Sequence, residues 1–293
     1  MTDQPPPAYV SSRRIGAADV TVISEGSCLW APKLSAPETE WRRAMPEADA
    51  EGRIPIGFNI AYLRLGGASI VIDPGFDGPR SAWQQRFAAY SPNLPALVRT
   101  AGLDTALARL GVAPGDVTHV LITHTHADHF AGVTAEQDGR QRARFPHARH
   151  ILSRTEWDRN PKREDPVSDV AVRLGAIQHL GLLDLVGAAH QVAPGVTMMA
   201  SPGETPGHMI IRVQSAGARF YYLGDLFHHA CEIAHPEWAP PGRDLASLQT
   251  SRTALFAETA ETGASLVTSH EPFPGWGQIR RTAGGFRWQR TSL

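Results

Sequence analysis

The chain of 293 residues has two cysteines, Cys28 and Cys231, and two lysines, Lys33 and Lys162. Two thiols exclude a disulfide framework and a cysteine-rich zinc site. With so little lysine and a formal net charge of −1, no basic excess is left for a nucleic acid or an anionic membrane. The pairs Arg13-Arg14, Arg42-Arg43 and Arg280-Arg281 read as solvated faces. No run approaches the roughly 18 apolar residues that a membrane-crossing helix requires. Met1–Pro7 lacks the basic and apolar regions of a secretory signal, so the expected location is cytoplasmic. Histidine, by contrast, is plentiful at 13 residues, and 27 glycines and 23 prolines promise many loops.

Residues 1–14 read as a flexible, proline-rich arm and 15–293 as a single domain. Asp19–Ser24, Val117–Thr123, His150–Ser153, Val196–Ala200, Met209–Gln214, Phe220–Leu223 and Leu266–Ser269 are short, apolar and rich in β-formers, so they predict strands. Phe58–Leu65 and Ala68–Asp73 flank Gly66-Gly67 and predict a hairpin. Leu103–Leu110, closed by Gly111, and Val167–His179 read as helices. The clearest helix starts at an Asp244 cap, carries Leu245, Leu248, Leu255, Phe256 and Thr259 on one face, and stops at Gly263. Segment 29–57 has no regular period and reads as a lid or a dimer contact. Strands outnumber helices and the helices fall between them, which predicts a layered α/β domain.

The chemistry is announced by Leu121-Ile122-Thr123-His124-Thr125-His126-Ala127-Asp128-His129. A His-x-His-x-Asp-His run directly after an apolar strand suits a borderline divalent cation, which takes imidazole and carboxylate donors. In extended backbone, residues i and i+2 share a face, so His124 and His126 can hold one ion. A turn then directs Asp128 and His129 elsewhere, towards a second. Three further donors stand at strand ends: His208 after Glu204-Thr205-Pro206-Gly207, Asp225 after Tyr221-Tyr222-Leu223-Gly224, and His270 after Leu266-Val267-Thr268-Ser269.

This set resembles the metallo-β-lactamase-fold hydrolases over roughly residues 15–290. The resemblance implies an αββα sandwich with two metals at one edge. It places His124, His126 and His208 on the first metal, and Asp128, His129 and His270 on the second. Asp225 bridges both together with a hydroxide, and Asp73, in Asp73-Pro74-Gly75, supports the metal loop. Neither His208 nor Asp225 is the cysteine of one class of true β-lactamase, and His126 is not the glutamate of the flavodiiron proteins. Thr205-Pro206-Gly207-His208, Gly224-Asp225-Leu226-Phe227-His228, His235-Pro236-Glu237-Trp238 and Pro272-Phe273-Pro274-Gly275 resemble the lactonase and organophosphate-hydrolase branch. Many lactonases of that branch carry tyrosine three residues after the bridging aspartate. His228 stands there instead, which resembles the methyl-parathion-hydrolase side.

The expected activity is therefore hydrolysis of a lactone or carboxylic ester, acyl-homoserine lactones included, by attack of the bridging hydroxide. A phosphotriesterase side activity is expected with it. Asp128, Asp225 and His228 are the candidate catalytic residues, with His228 as an oxyanion donor. Zinc is the expected metal, with manganese, cobalt and iron as alternatives. A homodimer is implied by the resemblance. Trp30, Phe76, Trp157, Phe227, Trp238, Phe273 and Trp276 are candidates for an apolar substrate pocket. Two other readings compete: a phosphodiesterase or organophosphate hydrolase, and a metal-binding protein without turnover. A glyoxalase-II-like hydrolase would favour a C-terminal extension rich in Lys and Arg, which is not found. The net charge disfavours a nucleic-acid substrate.

Overall fold

The computed structural model describes residues 9–77 and 97–291. Among them the strands run in chain order as β1 (Val10–Ile15), β2 (Ala18–Trp30), β3 (Ile54–Leu65), β4 (Ala68–Ile72), β5 (Val98–Arg99), β6 (His119–Leu121), β7 (Thr134–Gln137), β8 (Arg140–Ala143), β9 (Arg149–Ser153) and β10 (Leu183–Val186). They continue as β11 (Ala189–Ala193), β12 (Val196–Ala200), β13 (Met209–Ser215), β14 (Ala218–Tyr222), β15 (Ser265–Val267), β16 (Trp276–Thr282) and β17 (Gly285–Arg290).

Two large mixed sheets result. The first has the order β1-β2-β3-β4-β6-β9-β10, with β5 paired to β2; the second runs β11 to β17 in sequence order. β7 and β8 form a separate ribbon. Period-two alternation stacks the sheets and covers them. Ile70, Ile72 and Leu121 of the first sheet meet Met209, Ile211, Val213, Phe220 and Tyr222 of the second in one buried cluster. Their neighbours face outward. Val71, Val120 and Ile122 pack under the helix Gly102–Arg109 and the segment around Trp157, Val170 and Ile177. Ile210, Tyr221 and Leu266 pack under Leu248, Leu255 and Phe256 of the helix Leu245–Thr262. That helix is capped as its sequence predicts: Asp244 accepts from the Ser247 N–H, and Gly263 follows at φ 63°. The layers are thus the expected αββα sandwich.

Several boundaries differ from expectation. Part of the supposed flexible arm is strand: β1 pairs with β2 from Val10↔Ile23 to Ile15↔Ala18. Residues 1–8 lie outside the described ones. Segment 29–57 is not loop throughout, since β2 and β3 pair out to Trp30↔Ile54. Its central part carries the short helix Glu38–Ala44, whose Trp41 is buried with Leu34, Met45, Ile54 and Trp238. The helical stretch expected at Val167–His179 starts with widened π-helical turns, Val170–Leu174, before Gly175–His179. The β16–β17 hairpin escapes sequence reading because arginines interrupt its apolar pattern.

The topology gathers one set of strand ends. β4 and β6 are parallel, as are β14 and β15. Their carboxyl ends lead into Asp73, the His124–His129 segment, Asp225 and His270. Crevices at the carboxyl ends of parallel strands are the usual ligand sites of α/β sheets.

Candidate metal centre

The foundation is Asp73, just past β4. Its backbone takes φ 51°, a conformation that costs an L-residue roughly 1–2 kcal/mol and which aspartate tolerates better than most. Its fully buried carboxylate binds the histidine segment at two points. Thr123 donates its N–H to Oδ1 at 2.8 Å and its hydroxyl to Oδ2 at 2.7 Å. His129 donates Nδ1–H to Oδ2 at 2.8 Å.

A similar anchor fixes each neighbouring ring. His124 Nδ1 lies 3.0 Å from Thr123 Oγ1, whose own hydrogen goes to Asp73, so the imidazole donates. His208 Nδ1 donates to Ser201 O at 3.0 Å, and His270 Nδ1 to Gly57 O at 2.9 Å. All four rings therefore spend Nδ1 on an outer oxygen and turn Nε2 inward. Metal-ligating histidines are held in this way. His126 is reversed, with Nδ1 inward, 2.8 Å from His124 Nε2.

The inward atoms form two groups joined by Asp225. In the first, His124 Nε2 lies 3.5 Å and His126 Nδ1 3.9 Å from Asp225 Oδ2, with Glu204 Oε1 3.4 Å from His126. In the second, His129 Nε2 and His270 Nε2 each lie 3.5 Å from Asp128 Oδ2 and 3.1 Å from Asp225 Oδ1. His129 Nε2 and Asp225 Oδ1 are buried and have no hydrogen-bond partner. Close, dry donor atoms without hydrogen-bond geometry are what a cation between them would satisfy. The donor chemistry and the orphaned atoms both fit two divalent cations.

Electrostatics follow from this crowding. Burial, reinforced by His129 and His126, pushes His124 well below its ordinary range. His208 is lowered by burial too. Burial would also lower His129, but Asp225, Asp128 and Asp73 prevail and raise it well above. Asp225 is held well below the usual carboxylate range, since His129, His270 and His124 outweigh its burial. His228 is raised to about 10, as Glu204, Asp225 and Glu232 overcome desolvation.

Six of the seven proposed ligands thus lie in the two groups. His208 lines the same centre, with its ring 5.1 Å from that of His124, but the Asp225 N–H points at its Nε2 from 3.2 Å. Its nitrogen is not in the first group; Glu204 is. Gly224 makes room for this arrangement. At φ 52°, a Cβ there would come within 2.8 Å of His208 Nε2 and 2.9 Å of Thr123 Oγ1. His228 reaches the centre, with Nε2 3.4 Å from Asp225 Oδ2 and its ring stacked on His270 at 5.3 Å.

The aromatic candidates mostly prove to be core. Trp157, Phe227 and Trp276 are buried in the clusters under and between the sheets, so they are corrected as pocket residues. Phe76 is fully buried between Phe58 and the Arg99 guanidinium, and Phe273 packs against the inter-sheet core. Trp238 stacks on His235 at 3.8 Å. Trp30 does face the centre, 5.2 Å from the His228 ring. Phe58, which sequence reasoning missed, meets His270 edge-on at 5.5 Å.

Glu156 was also missed. Its buried carboxylate accepts from Thr125 N–H at 2.9 Å, Thr125 hydroxyl at 2.5 Å, Thr205 hydroxyl at 2.7 Å and Gly207 N–H at 3.0 Å. It ties the His124–His126 loop to the loop before His208. Nothing in Arg154-Thr155-Glu156-Trp157 announces this, because its partners lie far away in sequence.

The family profile described as "Metallo-beta-lactamase superfamily" matches residues 57–270. An N-acyl homoserine lactonase of Bacillus thuringiensis is 25% identical over 122 residues, or 42% of this chain. The chain spans 43% of the length of that curated relative. Among solved structures, one titled "Crystal structure of hydrolase AbOPH in beta lactamase superfamily" superposes with a TM-score of 0.79 at 20% identity, covering 99% of both chains. The lactonase AidC, described as dizinc and quorum-quenching, gives 0.75 at 22% identity, covering 97% of this chain and 98% of its own.

Proposed function

This chain belongs to the metallo-β-lactamase superfamily, and from that membership we propose a dinuclear-metal hydrolase that cleaves lactones or carboxylic esters, acyl-homoserine lactones among them. The observation that carries the proposal is the pair of inward-facing donor groups sharing the Asp225 carboxylate, with His129 Nε2 and Asp225 Oδ1 buried and unpaired between them. The substrate class is suggested by the partial match to an N-acyl homoserine lactonase.

His124, His126 and Asp225 would hold one cation, and Asp128, His129, His270 and Asp225 the other. His208 is expected as the third imidazole of the first site, but its Nδ1–H is spent on Ser201 and its Nε2 accepts from the Asp225 N–H at 3.2 Å, so it supports Asp225 from outside the donor group. When bound, two such cations supply Lewis acidity towards a carbonyl or phosphoryl oxygen and lower the pKa of water to about 7. Zinc suits this mixture of imidazole and carboxylate.

The chain's own groups do the rest. Asp128, whose side chain keeps 18% exposure beside two buried imidazoles, is placed to take a proton from the attacking water and pass it outward. His228 turns Nε2 towards Asp225 and Glu204, with its ring beside Trp30, and can donate to an oxygen that gains charge there. Trp30 and Phe58 offer apolar surface beside His228 and His270, suited to an acyl chain. A phosphotriesterase side activity is part of the proposal because of His228, whose imidazole stands where lactonases of the resembling branch often carry tyrosine. A homodimer is proposed as well, to be checked by light scattering.

The test is turnover of acyl-homoserine lactones, p-nitrophenyl esters, a phosphotriester and a β-lactam by zinc-loaded protein, with and without chelator. Chelator-sensitive lactone or ester hydrolysis is expected. Lactone and ester hydrolysis that ignores the chelator, or never occurs, would sink the proposal.

A further inference from the structure

Glu204 lies in the loop from β12 to β13, four residues before His208, and its side chain is wholly buried. A buried carboxylate is costly unless it is paired. Arg243 pairs the outer side, with Nε 3.0 Å and 2.9 Å from the two oxygens and Nη2 2.6 Å from Oε1. That ion pair does not explain the inner side. There Oε1 faces two imidazoles, 3.4 Å from His126 Nδ1 and 3.9 Å from His228 Nε2.

Oε1 joins His124, His126 and Asp225 in one set of four donor atoms, all within 4.8 Å of one another. Donors about 2.0–2.1 Å from one tetrahedral ion lie about 3.3 Å apart. The His126–Glu204 separation of 3.4 Å and the His124–Asp225 separation of 3.5 Å match such edges. Asp225 joins this set through Oδ2, and its Oδ1, buried without a hydrogen-bond partner, faces the second group, so one carboxylate links the two sets. His208 Nε2, meanwhile, faces the N–H of Asp225.

We propose that Glu204 is a carboxylate ligand of the cation held by His124 and His126, with Arg243 fixing its oxygen in place and balancing its charge. The proposal rests on the dinuclear reading above. It moves the first site from nitrogen-dominated towards mixed nitrogen and oxygen coordination, which widens its tolerance for harder ions such as manganese.

The experiment is titration of metal-free protein with Co²⁺, following visible absorption and stoichiometry in wild type, Glu204→Gln and His208→Ala. Glutamine keeps the shape and can still accept from Arg243. Wild type is expected to take up two equivalents. Glu204→Gln should weaken one of them by more than the ~10–100-fold typical of losing an outer support, and change its absorption band. The other equivalent should bind as before. The double variant Glu204→Gln/Arg243→Gln removes the ion pair whole, and the same loss is expected of it should the single variant not fold. Two equivalents bound by the Glu204 variants with wild-type affinity and spectrum would overturn the assignment alone. Fewer than two equivalents in wild type would overturn the dinuclear reading, and this assignment with it.

Discussion

Asp73 illustrates how single residues carry the centre without touching its substrate. One carboxylate orders both ends of the histidine segment, through Thr123 and through His129. Asp73→Ala should lower cation affinity by about 10–100-fold, measured by calorimetric titration, because His129 loses its orientation. Glu232 is the contrasting case, a residue of stability. It forms a wholly buried ion pair with Arg252 and accepts from the N–H groups of His228 and His229. Burial would raise its carboxyl group, but Arg252 and His228 prevail and hold it at about 2. A carboxyl so lowered contributes stability that is complete above its unfolded value near 4.5 and is lost as pH falls through about 2. Acid titration followed by circular dichroism should therefore show a shallower loss of stability between those values in Glu232→Gln than in wild type. Glu232→Ala, which leaves the buried Arg252 with backbone carbonyls but no counter-charge, should cost about 3–5 kcal/mol in denaturant unfolding at neutral pH.

Among elements, the tight connections matter most. β14 ends at Tyr222, and Leu223-Gly224 turns the chain so that Asp225 enters the centre. Gly224 does this in a left-handed conformation with His208 and Thr123 close against it. Gly224→Ala is expected to cost at least ~1–3 kcal/mol from backbone strain and to displace His208, read as a lower melting temperature and weaker cation binding together. The insertion between β2 and β3 is a second such element. Ser35 N–H donates to Ala239 O at 2.9 Å, and Glu47 pairs with His229 at 2.6 Å, so the segment is fastened to the loop that follows Asp225. It places Trp30 beside His228. Trp30→Ala should raise KM for long-chain lactones more than for short ones, because only an acyl tail loses the apolar contact. An equal effect on all chain lengths would remove Trp30 from the pocket.

At the scale of the molecule, the proposed metal ligands come from strand ends on both sheets, and cations bound there would join the two sheets through Asp225. Anything that binds only the folded chain stabilises it by about 2.7 kcal/mol at 100 times Kd. Chelation is accordingly expected to lower the melting temperature, and excess Zn²⁺ to restore it. No helix among the described residues is long and apolar enough to cross a membrane. Much of this could be read from the chain alone. Local signals are strong where a pattern is short-range: the His-x-His-x-Asp-His run, the glycine turn between β3 and β4, and the Asp244 cap are each encoded within a few residues. His208, Asp225 and His270 were legible because each closes or opens an apolar strand. Glu204, Glu156 and Phe58 were not, and neither was the fate of Trp157, Phe227 and Trp276. A carboxylate or an aromatic ring carries no mark of its surroundings, which are set by residues distant in sequence, 31 to 51 positions away for Glu156. Glu156 meets Thr125, Thr205 and Gly207 only after the two sheets have stacked, and Phe227 becomes core only because the helix Leu245–Thr262 lies over it. Ligand types and strand ends are local chemistry; which donors share an ion, and which rings see solvent, depend on distances that exist only once the sandwich has closed.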